Sequence, residues 1–273
     1  MDDEALATKR QWGQIFDRAE PTYDQFASSY FSHFGPSLVK RAAPVAGSKV
    51  LDVACGKGAV LLAAMEQMGG AGLGLGVDIS PGMARSLQRL ARERKFPNVS
   101  SAVMDAENLG VADAAVDVVL SAFSLHFLPE PERTAAEFRR VLRPGGTLGI
   151  SEWGDADPRW AWEGDLLAAA GSAGPYVARH FEKVDDVKIL LEGAGFSSLD
   201  ADSEEWTVHF ADVDEWWAWK WSFGFRRHLD AMSEEGRRRF KHAAEEAMRP
   251  LATSQGYPMT LHANFVVGRA GHG

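Results

Sequence analysis

From about residue 49 to 152, short apolar runs alternate with stretches whose apolar residues recur every three or four positions. Such alternation predicts βαβ units around a mostly parallel sheet, whose strands are covered by helices on both faces and so read as nearly unbroken apolar runs. Five strands are expected, at Lys49 to Ala54, Leu73 to Asp78, Asn98 to Met104, Asp117 to Ala122 and Thr147 to Glu152. Ser80 before Pro81 predicts a helix start, and Arg143-Pro144-Gly145-Gly146 predicts the stop of a helix that begins near Pro131. A helical lead runs from about Leu6 to Ala43. Later in the chain the pattern predicts a helix at Asp185 to Gly193 ended by Gly195, and a strand at Glu204 to Phe210. Helices at Val213 to Leu229 and Ser233 to Met248 and a last strand at Leu261 to Val267 complete it. No internal repeat or low-complexity linker interrupts the 273 residues, so one domain is expected, with a cap at 1–44, a core at 45–155 and covering helices with the last strands at 156–273.

Charge narrows the choice of partner. Lys and Arg number 29 against 38 Asp and Glu, a net charge of −9, whereas a surface for a phosphate backbone carries the opposite sign; nucleic acid is not expected. Cys55 is the single cysteine, so no intrachain disulfide forms, and no Cys/His cluster has zinc-site spacing, so no metal is called for. The acidic start Met1-Asp2-Asp3-Glu4 is unlike a presequence, and no apolar run approaches the roughly 20 residues that span a bilayer. A soluble, cytoplasmic protein without membrane insertion is expected.

Two glycine-bearing segments invite nucleotide readings, and both fail as phosphate grips. Cys55-Gly56-Lys57-Gly58 has Leu61 where a dinucleotide fingerprint needs its third glycine, and Lys57 precedes Gly58 rather than the Ser or Thr of a P-loop. The run Gly69 to Gly76 leads into a strand, not a helix. What remains is a turn in which Gly56 and Gly58 let the backbone approach a ligand, and a carboxylate, Asp78, at the end of the second strand. There it suits a ribose diol, accepting from both hydroxyls. Asp105-Ala106, ending the third strand, adds an acceptor where an adenine amino group would lie. Three successive strand ends therefore describe an adenosine site with no pyrophosphate grip.

With these motifs the chain resembles the class I S-adenosylmethionine-dependent methyltransferases, particularly the small-molecule branch that includes the quinone C-methyltransferases. The matching residues are Val50 to Gly58, Gly76-Val77-Asp78-Ile79-Ser80, Met104-Asp105-Ala106-Glu107, Phe123 to Leu128 and Leu142 to Gly146, in the family's order over residues 45 to 155. A weaker likeness at Leu191 to Phe196 and in the final strand extends it to the C-terminus. The resemblance implies an α/β fold: a doubly wound, Rossmann-like seven-stranded sheet with the last strand antiparallel, an N-terminal helical cap and a helical insertion before the last strand. It implies S-adenosyl-L-methionine as cofactor, with Asp78 on the ribose, Asp105 and Ala106 at the adenine edge, and Ala54, Gly56 and Gly58 at the methionine end. Ile79, Met83 and Ser121 would complete the cofactor site. A tyrosine from the N-terminal helix, Tyr23 ahead of Tyr30, would close it. Two positions depart from the family: Ala54 replaces the usual first glycine, which suits alanine only at negative φ, and Lys57 stands where threonine is common.

Methyl transfer is an in-line displacement, so alignment matters most and only some acceptors need a base. His126, just past the fourth strand, is a candidate base or a pocket-lining residue; Glu152, ending the fifth, is a candidate base, a holder of an ammonium or a structural cap. His33, His180 and His228 are lesser candidates. Cys55 reads as a small residue packed beneath the cofactor, Asp52 as an orienter of the turn and Asp113 as part of a solvated loop. Eight of the nine tryptophans lie after residue 150. On a helix, Trp217, Trp221 and Phe225 share one face while Trp216, Trp219 and Phe223 share its neighbour. This segment would roof an apolar acceptor, with Trp153, Trp217, Trp221 and Phe225 in contact, or serve as core, or join subunits of a homo-oligomer. Arg237-Arg238-Arg239-Phe240-Lys241, among Glu234, Glu235, Glu245 and Glu246, reads as a salt-bridged solvated face. The expected activity is methyl transfer to an oxygen, nitrogen or carbon of a small, partly apolar metabolite. Its rivals are a cyclisation or rearrangement on the same fold, and a fold relative without catalysis.

Overall fold

The computed structural model describes residues 3–25, 29–170, 181 and 183–271. Two helices, α1 (Asp3–Ala19) and α2 (Tyr30–Ala42), precede a seven-stranded sheet of order β3-β2-β1-β4-β5-β7-β6. Its first five strands are parallel: β1 (Lys49–Val53), β2 (Leu73–Asp78), β3 (Val99–Val103), β4 (Val116–Ala122) and β5 (Leu142–Trp153). The last strand, β7 (Tyr257–Ala270), lies antiparallel between β5 and β6 (Phe196–Phe210). The expected architecture is therefore present.

Successive side chains of a strand point to opposite faces, so a strand covered on both sides supplies two cores at once. Val50, Val118 and Leu120 join α2 and α3 (Ala59–Gln67) on one face. Leu51, Val53 and Val119 join α5 (Pro131–Val141) and α7 (Val184–Gly193) on the other. Helix α4 (Pro81–Glu93) covers β2 and β3, capped by the Ser80 hydroxyl, which accepts from the Met83 N–H.

The late segments differ from their sequence pattern. Strand β6 begins eight residues before the expected Glu204, because its outer half is an exposed edge whose polar residues carry no strand-like apolar signal. The expected helix Val213 to Leu229 is two, α8 (Val213–Trp221) and α9 (Arg226–Ala231), and Phe225 caps the second rather than extending the first. At the break the Ser222 hydroxyl turns back to the Trp219 carbonyl, closing the end of α8. A short α6 (Trp162–Ala169) and α10 (Glu234–Met248) complete the insertion. Among the described residues no helix is long and apolar enough to cross a membrane.

Ala54, where the turn leaves β1, has φ +56°, against the negative value that alanine favours. The left-handed conformation costs a residue with a Cβ about 1–2 kcal/mol, while glycine costs about 0.5–1 kcal/mol in lost chain entropy. Ala54→Gly is therefore expected to leave the melting temperature unchanged or raise it by up to about 3 °C, and Ala54→Val to lower it. A fall on Ala54→Gly in thermal denaturation would show that the turn is unstrained.

Candidate active site

The carboxyl ends of the parallel strands open into two adjoining cavities. The first, of about 880 Å³, is lined by Ala54, Gly56, Asp78, Ile79, Met83, Asp105 and Ala106 from the strand ends, and by Tyr23 from the N-terminal segment. Asp78 is buried, and burial pushes its pKa up to about 6 even though backbone N–H groups favour its charge. Its oxygens accept from the Gly56 N–H and the Ser80 N–H, both at 2.8 Å. A carboxylate has about four acceptor sites, so it keeps capacity for two hydroxyls. Gly56 and Gly58 have φ +52° and +90°. A Cβ on Gly56 would meet the Tyr23 ring, and one on Gly58 would collide with Leu87. The glycines therefore keep the wall close-packed while Asp78 presents charge to the cavity, which fits a nucleoside with a ribose diol.

Of the other expected cofactor contacts, Gly58 and Ser121 do not line this cavity. Gly58 caps α3 from outside it, and the Ser121 hydroxyl is buried, donating to the Val53 carbonyl. Lys57 steadies the N-terminal segment, because its ammonium donates to the Glu20 and Tyr23 carbonyls at 3.2 and 3.3 Å and so holds the turn that presents Tyr23. Tyr23 stacks on Phe31 with ring centroids 4.7 Å apart. Tyr30, the second candidate, also lines the cavity but stands edge-on to Trp153. Asp52 accepts from the Leu61 N–H and so orients the turn, its own pKa pushed up to about 8 by burial.

Helix α1 supplies a lysine that sequence reasoning missed. Lys9, nearly fully buried, donates to Asp105 at 2.8 Å and pairs with Glu107, so the Asp105 carboxylate, expected at the adenine edge, is neutralised from α1. Burial lowers the Lys9 pKa, but the two carboxylates outweigh it and hold the group above its ordinary value. The signal was present, since Lys9 lies between Ala5 and Trp12 at helical spacing on the buried face.

Past β4 the chain turns sharply at Phe123, whose φ of +52° is rare for a bulky residue and marks strain of the kind held at functional sites. A single 3-10 turn, Leu125–Phe127, follows. Glu152 fixes that turn: one oxygen accepts from the Ser124 and Leu125 N–H groups at 2.9 and 2.7 Å, and the other meets His126 Nδ1 at 2.6 Å. The two candidate catalytic residues thus form one buried pair. With Nδ1–H donated to the carboxylate, proton chemistry on this ring falls to Nε2.

His126 and Glu152 line the second cavity, of about 1150 Å³, and Trp153 and Phe223 line both cavities as a shared wall. Phe225, Trp219, Lys220 and Glu163 also line the second. Trp217 and Trp221 line neither, which corrects the expected contacts: they pack edge-on against each other, and Trp217 sits over Phe240 of α10. The cavity-facing side of α8 carries Trp219 and Lys220, while Trp216 is fully buried in the core. His33 stacks on Trp206 at 4.0 Å, His228 is buried with its pKa pushed down to about 4 by that burial, and His180 lies outside the described residues. The Cys55 thiol is buried, which raises its pKa and suits packing rather than nucleophilic attack. Asp113 is exposed and pairs with Arg140. The basic run on α10 pairs Arg238 with Glu235 and Lys241 with Asp214.

Known proteins resemble this chain. Residues 51–150, from β1 into β5, match the family described as "Methyltransferase domain". The aklanonic acid methyltransferase DauC of Streptomyces sp. (strain C5) is 38% identical over 143 residues, 52% of this chain and 65% of that protein's length. The nocamycin O-methyltransferase of Saccharothrix syringae is 29% identical over 273 residues, covering 93% of this chain and 97% of that one. Among solved structures, YcgJ of Bacillus subtilis shares the fold with a TM-score of 0.61 at 19% identity, over 88% of this chain and 100% of that one. Residues 51–150, which span the parallel strands, thus match a methyltransferase domain, and the chain is similar to small-molecule methyltransferases.

Proposed function

We propose that the protein transfers a methyl group to a hydroxyl oxygen of a small, largely aromatic metabolite, with the cofactor in the first cavity and the acceptor in the second. The observation that carries this reading is the His126–Glu152 pair, 2.6 Å apart, set in the second cavity beside its common wall with the first. The names of two relatives, an aklanonic acid methyltransferase and a nocamycin O-methyltransferase, support a small-molecule acceptor and secondary metabolism.

S-Adenosylmethionine, when bound, supplies an electrophilic methyl group on a sulfonium. Asp78 would hold the ribose hydroxyls, Asp105 and Ala106 the adenine edge, and the Ala54 to Gly56 turn with Tyr23 the methionine end. His126 Nε2 takes the proton of the acceptor hydroxyl as the oxygen becomes nucleophilic, and Glu152 stabilises the imidazolium and keeps the ring in register. Trp153 and Phe223 exclude water from the shared wall, and their ring faces favour a nearby cation.

His126→Ala is expected to lower kcat by about 10²–10⁴-fold with cofactor affinity unchanged. Glu152→Gln, which keeps an acceptor for the two backbone N–H groups, is expected to lower kcat with little change in melting temperature. Full turnover in both variants at saturating cofactor would leave alignment alone as the catalytic device. Transfer of label from methyl-labelled cofactor to an organic-soluble product tests the reaction class, since a cyclisation or rearrangement moves none.

For the ribose contact, Asp78→Asn is expected to weaken cofactor binding by about 1.5–3 kcal/mol. Asp78 ionises at about pH 6, and only its charged form accepts from both hydroxyls. Wild-type affinity should therefore be full above pH 7 and fall roughly tenfold by pH 5, whereas Asp78→Asn should show no such fall. Calorimetric titrations that give parallel pH profiles would remove Asp78 from the ribose.

A further inference from the structure

Lys220 is the least expected group in the second cavity. Its side chain is 4% exposed, and its ammonium lies 2.6 Å from Glu163 of α6. Around the rest of it stand aromatic rings, with the Trp219 and Phe225 centroids at 4.4 and 4.5 Å. The other Glu163 oxygen accepts from the Trp216 indole N–H at 3.0 Å. An ammonium has three donors, of which one reaches Glu163. Among the described residues the Trp219 indole N–H, also buried, has no hydrogen-bond acceptor. Among the described residues lining this cavity, Lys220 is the one ammonium or guanidinium.

A purely structural role explains this arrangement poorly. Well-packed apolar residues stabilise such a site at least as well as a buried ion pair does, because desolvating two charges offsets much of their attraction. The cavity's other carboxylates are already engaged or exposed. Glu152 is taken by His126 and two backbone N–H groups, Asp157 is held by Arg159, and Asp155 is open to solvent. Lys220 and Trp219 therefore offer a cluster of buried N–H donors among flat ring faces, with a single carboxylate as their present counterpart.

We propose that Lys220, together with the Trp219 N–H, anchors an anionic oxygen of the acceptor, so that the second cavity selects flat aromatic molecules bearing a carboxylate or an ionised phenol or enol. The inference rests on the assignment of the second cavity to the acceptor. Glu163 is then a placeholder that holds the ammonium until the acceptor's oxygen shares or takes it. The aromatic walls receive the body of the molecule, and the methylated hydroxyl is a separate group, directed to His126.

Binding in the absence of cofactor tests this apart from turnover. The full chain is titrated calorimetrically at pH 7.5 with 2-naphthoate and its neutral isostere 2-naphthamide, and with 2,4-dinitro-1-naphtholate and its methyl ether. Wild type is expected to favour at least one anion over its neutral partner by tenfold or more, and which pair shows it tells a carboxylate from an ionised phenol or enol. Lys220→Met should abolish that preference while leaving neutral affinities within about twofold. Glu163→Gln, which retains the acceptor for Trp216, should strengthen anion binding severalfold by releasing Lys220 from its rival. An equal preference in wild type and Lys220→Met, or anion binding weakened by Glu163→Gln, would overturn the proposal. Should Lys220→Met fail to fold, the direction of the Glu163→Gln change decides alone. Label transfer to an acceptor with no anion preference would sink the anchor and spare the methyltransferase reading; an anion preference without label transfer would do the reverse.

Discussion

A buried carboxylate must collect hydrogen-bond donors or lose its charge, and Glu152 at the end of β5 collects three. Two come from the backbone of the turn that follows β4, and the third is the imidazole of His126. One side chain therefore ties the ends of two neighbouring parallel strands, sets the path of the chain after the strained Phe123, and orients the ring that faces the second cavity. Trp153, the next residue, packs at a tilt against Phe123 with ring centroids 4.6 Å apart and lines both cavities. The division of the site into two chambers follows from the geometry around this carboxylate.

The first cavity is closed by a second set of charges. Asp17 of α1 accepts from the Ser80 hydroxyl and the Gly82 N–H at the start of α4, and Lys9, two turns earlier, pairs with Asp105 and Glu107. The middle and the C-terminal end of α1 are thus bound to segments that follow β2 and β3. A helix so held shapes the β3 side of the first cavity. It also balances the charge of Asp105 before any ligand arrives.

The strand ends were legible because a polar residue that terminates an apolar run, such as Asp78 after Gly76-Val77 or Glu152 after Ile150-Ser151, announces both the end of the strand and a group worth the cost of burial. The pairing of His126 with Glu152 was not legible, since 26 residues separate them and only the β4–β5 register brings them together. Lys9 and Lys220 were overlooked for a related reason. A lysine on an apolar helix face reads as solvated until its partner is known, and those partners, Asp105 and Glu163, lie on other elements. The end of α8 was hidden because aromatic periodicity continues from Trp221 across Ser222 to Phe225, while the chain itself stops at the Ser222 hydrogen bond. Ala54 predicts a negative φ, the side alanine favours, although the glycine usual at this place already points to the left-handed turn that is found.

Charge is carried differently in the two halves of the site, and the difference bears on what each half recognises. On the sheet, Asp78 and Glu152 are supported by backbone N–H groups, whose positions are set by strand register and do not depend on any other side chain. A hold built this way is rigid and suits a ligand that is the same in every turnover. In the insertion, Lys220 is supported by Glu163 and by rings, each of which belongs to a separate short helix or turn. Substituting that pair would leave every strand-end hydrogen bond in place, so the lining of the second cavity is mechanically separable from that of the first. On the proposed reading, acceptor choice resides in the aromatic insertion and cofactor retention in the sheet.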